Sequence, residues 1–238
     1  MKITAVLFDL DGTLLPMEGK AFGKLYFGTL TQTLAARGYD PKQLLDAILQ
    51  GVDVMTNNAS EKTNEQVFWD RFCEIFGNDA RKDEPYFEEY YHTNFVQTKQ
   101  ACGQDPEAAK TVAWLKERGF RVALATNPIF PAVATKQRIE WAGLSPDDFE
   151  VYTTYENSCR CKPNPDYYLE ILNKLQVTPQ ECLMVGNDVE EDMVAEKLGM
   201  KVFLLTDWLI NRSGTDVNRY PNGGFSELKK FLENLVRV

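Results

Sequence analysis

Histidine is almost absent: His92 is the only one among 238 residues. That excludes an HExxH zinc site and any metal centre needing two imidazoles. A serine–histidine–acid hydrolase would have to rest on His92 alone, and no GxSxG elbow accompanies it. Set among Tyr90, Tyr91 and Phe95, His92 reads as a core or surface residue. Long apolar runs are missing too. The longest stretch without a charged side chain, Val122–Thr135, is 14 residues and contains Pro128 and Pro131, too short and broken to span a bilayer. Cysteines number five, an odd count, and Asp9 and Asp11 interrupt the opening apolar run before any cleavage-like site. Both features point to free thiols in a reducing cytoplasm rather than to secretion. Cys159 and Cys161, with no second pair at zinc-like spacing, read as structural thiols. Positive charge is in deficit, 26 Lys and Arg against 35 Asp and Glu for a net −9, which argues against a nucleic-acid surface. Gly19–Leu25 resembles a phosphate loop only until its spacing and missing hydroxyl are checked.

What is present is a regular alternation. Ile3–Phe8, Arg121–Ala125, Val151–Thr154, Cys182–Val185 and Val202–Leu205 are short, nearly continuous apolar runs ending in polar or glycine punctuation. Such runs suit strands of a parallel sheet covered on both faces. Asp105-Pro106-Glu107 and Asn164-Pro165-Asp166 each open a helix with a cap, a proline and an acid, while Pro131 begins a third that Gly143 ends. Strands alternating with helices predict an α/β fold with a doubly wound parallel sheet.

One interval breaks the rhythm. More than a hundred residues separate the first two strands, where a crossover needs only about a dozen plus its helix. Within it Phe22, Tyr26, Leu30 and Leu34, then Leu44, Leu45, Ile48 and Leu49, then Phe68, Phe72, Ile75 and Phe76 recur at helical spacing. The expectation is an all-helical unit over residues 18–100, inserted into a core made of 1–17 and 101–238.

In an open parallel sheet the ligand sits beyond the carboxyl ends of the strands. There the chain places Asp9-Leu10-Asp11-Gly12-Thr13, Thr126-Asn127, Lys162-Pro163 and Gly186-Asn187-Asp188, with Asp192 four residues on. Asp9 and Asp11, two apart, project to one side of extended chain. Asp188 is expected at a helix start, with Asp192 on the same face a turn later. Four carboxylates at one rim suit a hard cation such as Mg²⁺. With a hydroxyl at Thr126 and a positive charge at Lys162, the set describes a phosphate caught between a nucleophile and electrostatic clamps.

These four motifs, DLDGT, Thr126-Asn127, Lys162-Pro163 and GNDxxxD, resemble in kind and order those of the haloacid dehalogenase-like hydrolase superfamily, over essentially the whole chain. The resemblance implies a Rossmann-like core with a helical cap after the first motif. It implies that Asp9 is the nucleophile and forms an aspartyl-phosphate, and that Asp11 is first the acid and then the base. Thr126, Asn127 and Lys162 would bind the phosphoryl group. Mg²⁺ would be held by Asp9, the main-chain carbonyl of Asp11, and Asp188, with Gly12, Asn187 and Asp192 in support. The dehalogenase branch lacks the second aspartate, so Asp11 argues for phosphate chemistry.

Blander readings exist for each residue: a turn-capping pair at Asp9 and Asp11, a strand-end hydroxyl at Thr126, a solvated lysine at Lys162. Asn187 reads equally as a turn residue, and Asp192 as a first-turn acid like Glu190 and Glu191. The function expected is a Mg²⁺-dependent phosphatase of a small soluble phosphomonoester. Its partner is a small phosphorylated metabolite, not nucleic acid or membrane, and it acts as a monomer or homodimer. The rivals are a phosphomutase of the β-phosphoglucomutase kind and a non-catalytic binding or regulatory protein.

Overall fold

Six short strands form one parallel sheet in the computed structural model, which describes residues 2–236. β1 (Ala5–Phe8), β2 (Arg121–Leu124), β3 (Val151–Tyr152), β4 (Cys182–Gly186), β5 (Lys201–Leu205) and β6 (Asn222–Gly223) lie in the order β3-β2-β1-β4-β5-β6. Every neighbouring pair is parallel, with Ala5 level with both Arg121 and Cys182. The fold class is therefore the expected α/β one. Strand order reverses between β1 and β4, and that switch point is where a doubly wound sheet opens a crevice.

Alternation along each strand sends side chains to two apolar layers. Val6, Phe8, Leu124, Val185 and Phe203 face one layer; Ala5, Leu7, Ala123, Met184 and Leu204 face the other. The first layer is covered by α5 (Pro106–Glu117), α6 (Ala132–Trp141) and α8 (Phe225–Val236), the second by α7 (Pro165–Leu175) and the 3₁₀ segment Met193–Leu198. The helix starts follow the sequence signals. Asp105 and Asn164 accept hydrogen bonds from the amides of Glu107 and Asp166, each ahead of its proline.

Between β1 and β2 the described chain is helical: α1 (Gly19–Ala35), α2 (Pro41–Thr56), α3 (Asn64–Phe76) and α4 (Glu84–Thr93), with 3₁₀ segments at Asn78–Asp83 and Phe95–Ala101. Phe22, Tyr26, Leu30 and Leu34 all point inward from α1. The α2 stripe holds at Leu44 and Ile48 but not at Leu49, which is exposed. The insert's apolar interior is continuous with the layer over α6, where Phe22 meets Phe130 edge-on and Phe95 stacks on Trp141. The two chain passages that lead into and out of it run side by side, with Met17 bridged to Cys102.

Three expectations need correction. β3 is only two residues, because Thr153 and Thr154 turn into the core and Thr153 spends its hydroxyl on the Thr126 carbonyl at 2.6 Å. β6 has no apolar run to announce it; it pairs through the backbone of Asn222 and Gly223 alone. No α-helix begins at Asp188: residues 189–192 form a turn, and a 3₁₀ segment follows from Met193. Among the described residues no helix is long and apolar enough to cross a membrane.

Candidate active site

The carboxyl ends of β1, β2 and β4 converge on a cleft of about 190 Å³ lined by Asp9, Asp11, Thr126, Asn127 and Asp188. Asp9 follows β1 directly, and its amide donates to the Val185 carbonyl of β4. Its Oδ1 accepts a 2.8 Å hydrogen bond from Lys162 Nζ. Lys162, fully buried ahead of α7 on a cis Lys162–Pro163 peptide, also donates to Asp192 Oδ1 at 2.6 Å. Burial works against the ammonium charge, but the Asp192 and Asp9 carboxylates outweigh it and hold Lys162 well above its ordinary range. Burial pushes Asp192 upward against the pull of Lys162. Asp9 and Asp192 thus share one buried lysine, and both line the cleft.

Asp11 has a partner that the sequence reading did not supply. Its Oδ2 is ion-paired with Arg138, a wholly buried arginine on the inner face of α6. The guanidinium also lies over the Phe130 ring, 4.5 Å from its centroid. Desolvation raises the Asp11 carboxyl above its usual range, and Arg138 opposes that. Asp11 Oδ1 is buried without a hydrogen-bond partner among the described residues.

The β4 side is braced through backbone and amide groups. Asn187 Oδ1 accepts from Thr13 at 3.0 Å, and its Nδ2 donates to the Trp208 carbonyl at 2.7 Å. Gly12, at φ +85°, lies so close to the Asn187 amide that a Cβ there would collide with it. A Cβ at Gly186 would strike the Asp192 carboxylate. Asp188 Oδ1 accepts from the amides of Glu190 and Glu191, both at 2.9 Å. Its Oδ2 pairs with Arg212 Nη1 at 2.9 Å, from the loop after β5. Burial raises Asp188, while the Glu191 amide and Arg212 act the other way.

Each carboxylate thus stands beside a different cation: Asp9 with Lys162, Asp11 with Arg138, Asp188 with Arg212. Among the described residues no three His, Cys, Asp or Glu side chains form a ready-made metal cluster. The donors nonetheless fit a hard cation. Asp9 and Asp188 bring carboxylate oxygens to one cleft, and Asp11 Oδ1 and Asn127 Oδ1 are buried there unsatisfied. A cation-oxygen site is what such a surplus of acceptors favours.

The expected residues separate into groups. Asp9, Asp11, Thr126, Asn127, Asn187, Asp188 and Asp192 all line the cleft. Lys162 reaches it through Asp9 and Asp192, and Gly12 through its approach to Asn187. Thr126 is held by its carbonyl, which accepts from Thr153 and from Tyr167 at 2.8 Å. Asn127 donates to Glu191 at 3.3 Å. Arg138 and Arg212 went unnoticed. Arg138 carried a faint signal, a lone arginine four residues after Ala134 and three after Thr135 on a helix face that is otherwise buried. Arg212 carried none, since only tertiary packing brings its loop to β4.

A buried lysine–carboxylate pair and further acids at the switch point of a doubly wound sheet define an enzyme site of the hydrolase type. The chain matches the family profile described as "Hydrolase: haloacid dehalogenase-like hydrolase" over residues 3–199, and it belongs to that family. A phosphoglycolate phosphatase of Aquifex aeolicus is 27% identical over 231 residues, covering 97% of each chain. The crystal structure of a HAD phosphatase from Thermococcus onnurineus superposes with TM-score 0.58 at 24% identity, covering 97% of this chain and 98% of that one. A 2-haloacid dehalogenase from Pseudomonas syringae superposes with TM-score 0.64 at 20% identity, covering 98% and 99%. The two structures share the fold, which serves both chemistries.

Proposed function

We propose that the protein is a Mg²⁺-dependent phosphatase that hydrolyses a small soluble phosphomonoester through an aspartyl-phosphate on Asp9. The observation that carries this reading is the presence of two carboxylates, Asp9 and Asp11, in one cleft but in different electrostatic settings. Two acids held apart in this way can divide the roles of nucleophile and proton carrier. The similarity to a phosphatase along the full chain supports it.

Lys162 engages Asp9 Oδ1, so Oδ2 is the oxygen that attacks phosphorus. As the new P–O bond forms, the bond to the leaving alcohol breaks, and Asp11 gives that oxygen a proton. Asp11 then takes a proton from the water that attacks phosphorus, which releases phosphate and restores Asp9. Thr126 and Asn127 orient the phosphoryl oxygens, and Lys162 offsets their charge through Asp9. Asp9, Asp188 and the main-chain carbonyl of Asp11 would hold Mg²⁺, which when bound neutralises charge building on the phosphoryl oxygens. Gly12, Asn187 and Asp192 support this set by packing and hydrogen bonding rather than by contact with substrate.

Residues 18–100 form the lid of this reading, with 1–17 and 101–238 as the catalytic core. A lid excludes water from the phosphoenzyme and limits the size of the leaving group. The partner is a small phosphorylated metabolite met in the cytoplasm, and the enzyme works as a monomer or homodimer. The test is a phosphoester panel assayed for inorganic phosphate with Mg²⁺ and with EDTA. Turnover in Mg²⁺ alone supports the reading; no turnover on any ester overturns it.

A further inference from the structure

We propose that Arg212 alternates between two partners: the Asp188 carboxylate in the ion-free protein, and the anionic substrate once a divalent cation takes its place on Asp188. This rests on the phosphatase reading above and adds a residue to it. The guanidinium forks the carboxylate, with Nη1 2.9 Å from Oδ2 and Nη2 3.1 Å from Oδ1. Oδ1 already accepts from two amides besides Arg212, so a cation on Asp188 is left with Oδ2, where it meets the positive charge of Arg212 Nη1 at contact distance. The pair is therefore not an addition to the cation site but a substitute for its occupant.

Three features show that Arg212 is the cation able to move. Lys162 and Arg138 are wholly buried, whereas the Arg212 side chain is 54% exposed at the rim of the cleft that holds Asp9. Its backbone, by contrast, is fixed. The Arg212 and Ser213 amides donate to the Glu190 carboxylate at 3.2 and 2.9 Å, and Ile210 exchanges backbone hydrogen bonds with Asn187 and Val189 at 2.9 Å. The side chain can therefore swing while its root stays beside Asp188. Its remaining contacts, Glu191 at 3.4 Å and Glu190 at 3.7 Å, are loose ion pairs at the surface and resist that swing weakly. An arginine freed at the rim of a cleft lined by Thr126 meets a phosphoryl oxygen with a fork suited to it.

Calorimetric titration of the full chain tests both halves, with Arg212→Gln against wild type. Mg²⁺ alone should bind the variant about two- to fivefold more tightly, the range of a partly exposed ion pair. At about 1 M salt, where the screening length is about 3 Å, that gain should shrink without vanishing, because a mere long-range charge effect is lost while competition at contact distance is only weakened. With Mg²⁺ saturating, inorganic phosphate should bind the variant more weakly than wild type. An unchanged value in either titration, or a Mg²⁺ gain that vanishes in high salt, overturns the proposal. Hydrolysis of a generic aryl phosphate by wild type, run alongside, separates it from the reading it rests on. Turnover with unchanged titrations sinks the Arg212 assignment alone; no turnover and no Mg²⁺ binding sink both.

Discussion

Arg138 and Asp11 lie 127 residues apart in the chain and form an ion pair in which the arginine is wholly buried and the aspartate lines the cleft. The arginine comes from a helix otherwise devoted to packing, with Ala134, Ile139 and Trp141 buried beside it. A buried guanidinium is tolerated only where its charge is met, and among the described residues Arg138 Nε already lacks a partner. Asp11 is thus as much a structural counter-ion as a member of the site.

Replacing Arg138 with Met should destabilise the fold by about 2–3 kcal/mol, below the 3–5 kcal/mol typical of fully buried pairs because the Asp11 side chain keeps some solvent contact. Urea unfolding measures this. The double variant Arg138→Met, Asp11→Asn should recover part of the loss, because no buried charge is then left unpaired. Strict additivity of the two would show that the pair is not coupled.

Asp9→Asn should abolish turnover while the protein stays folded, since an amide cannot attack phosphorus and its volume is nearly the same. Lys162 keeps Asp192 as its counter-ion in that variant. Asp11→Asn should cost roughly 10²–10⁴-fold in kcat, the contribution of a positioned proton carrier. Phosphate release at near wild-type rates by purified Asp9→Asn would end the nucleophile assignment.

Mg²⁺ should stabilise the folded chain. Empty-site repulsion between Asp9 and Asp188 is a weak reason, because Lys162 and Arg212 already neutralise them. Mass action suffices: at about 100 times its dissociation constant a ligand adds about 2.7 kcal/mol, roughly 5–10 °C in Tm for a chain of this size. Thermal melts in EDTA and in excess Mg²⁺ should show that shift in wild type and little of it in Asp188→Ala.

Asn64 should act as the tie between insert and core. This fully buried side chain at the start of α3 donates to the Pro128 carbonyl at 3.1 Å and accepts from Asn58 at 3.0 Å. Asn64→Ala should cost about 1–3 kcal/mol through the partners left unsatisfied. Hydrogen exchange should quicken in α3 before it quickens in the sheet; equal change in both would mean the insert has no independent opening. This variant probes the insert more cleanly than deleting residues 18–100, which would strip Phe130 and Trp141 of their aromatic neighbours.

The sequence by itself determined the α/β class, five of the six strands, the capped helices and the helical insert. Those features follow from local periodicity and cap chemistry, which need no knowledge of the partner segment. It also nominated Asp9, Asp11, Thr126, Lys162 and Asp188, because each follows or precedes a strand or helix at a position where an open sheet exposes its ends. Tertiary structure alone decided which charge each acid meets. Lys162 closes on Asp9 across 153 residues, Arg138 on Asp11 across 127 and Arg212 on Asp188 across 24. Such pairings depend on which helix face is buried and where a loop folds back, so no local pattern encodes them. The same holds for β6, whose two residues pair through backbone groups that every sequence carries.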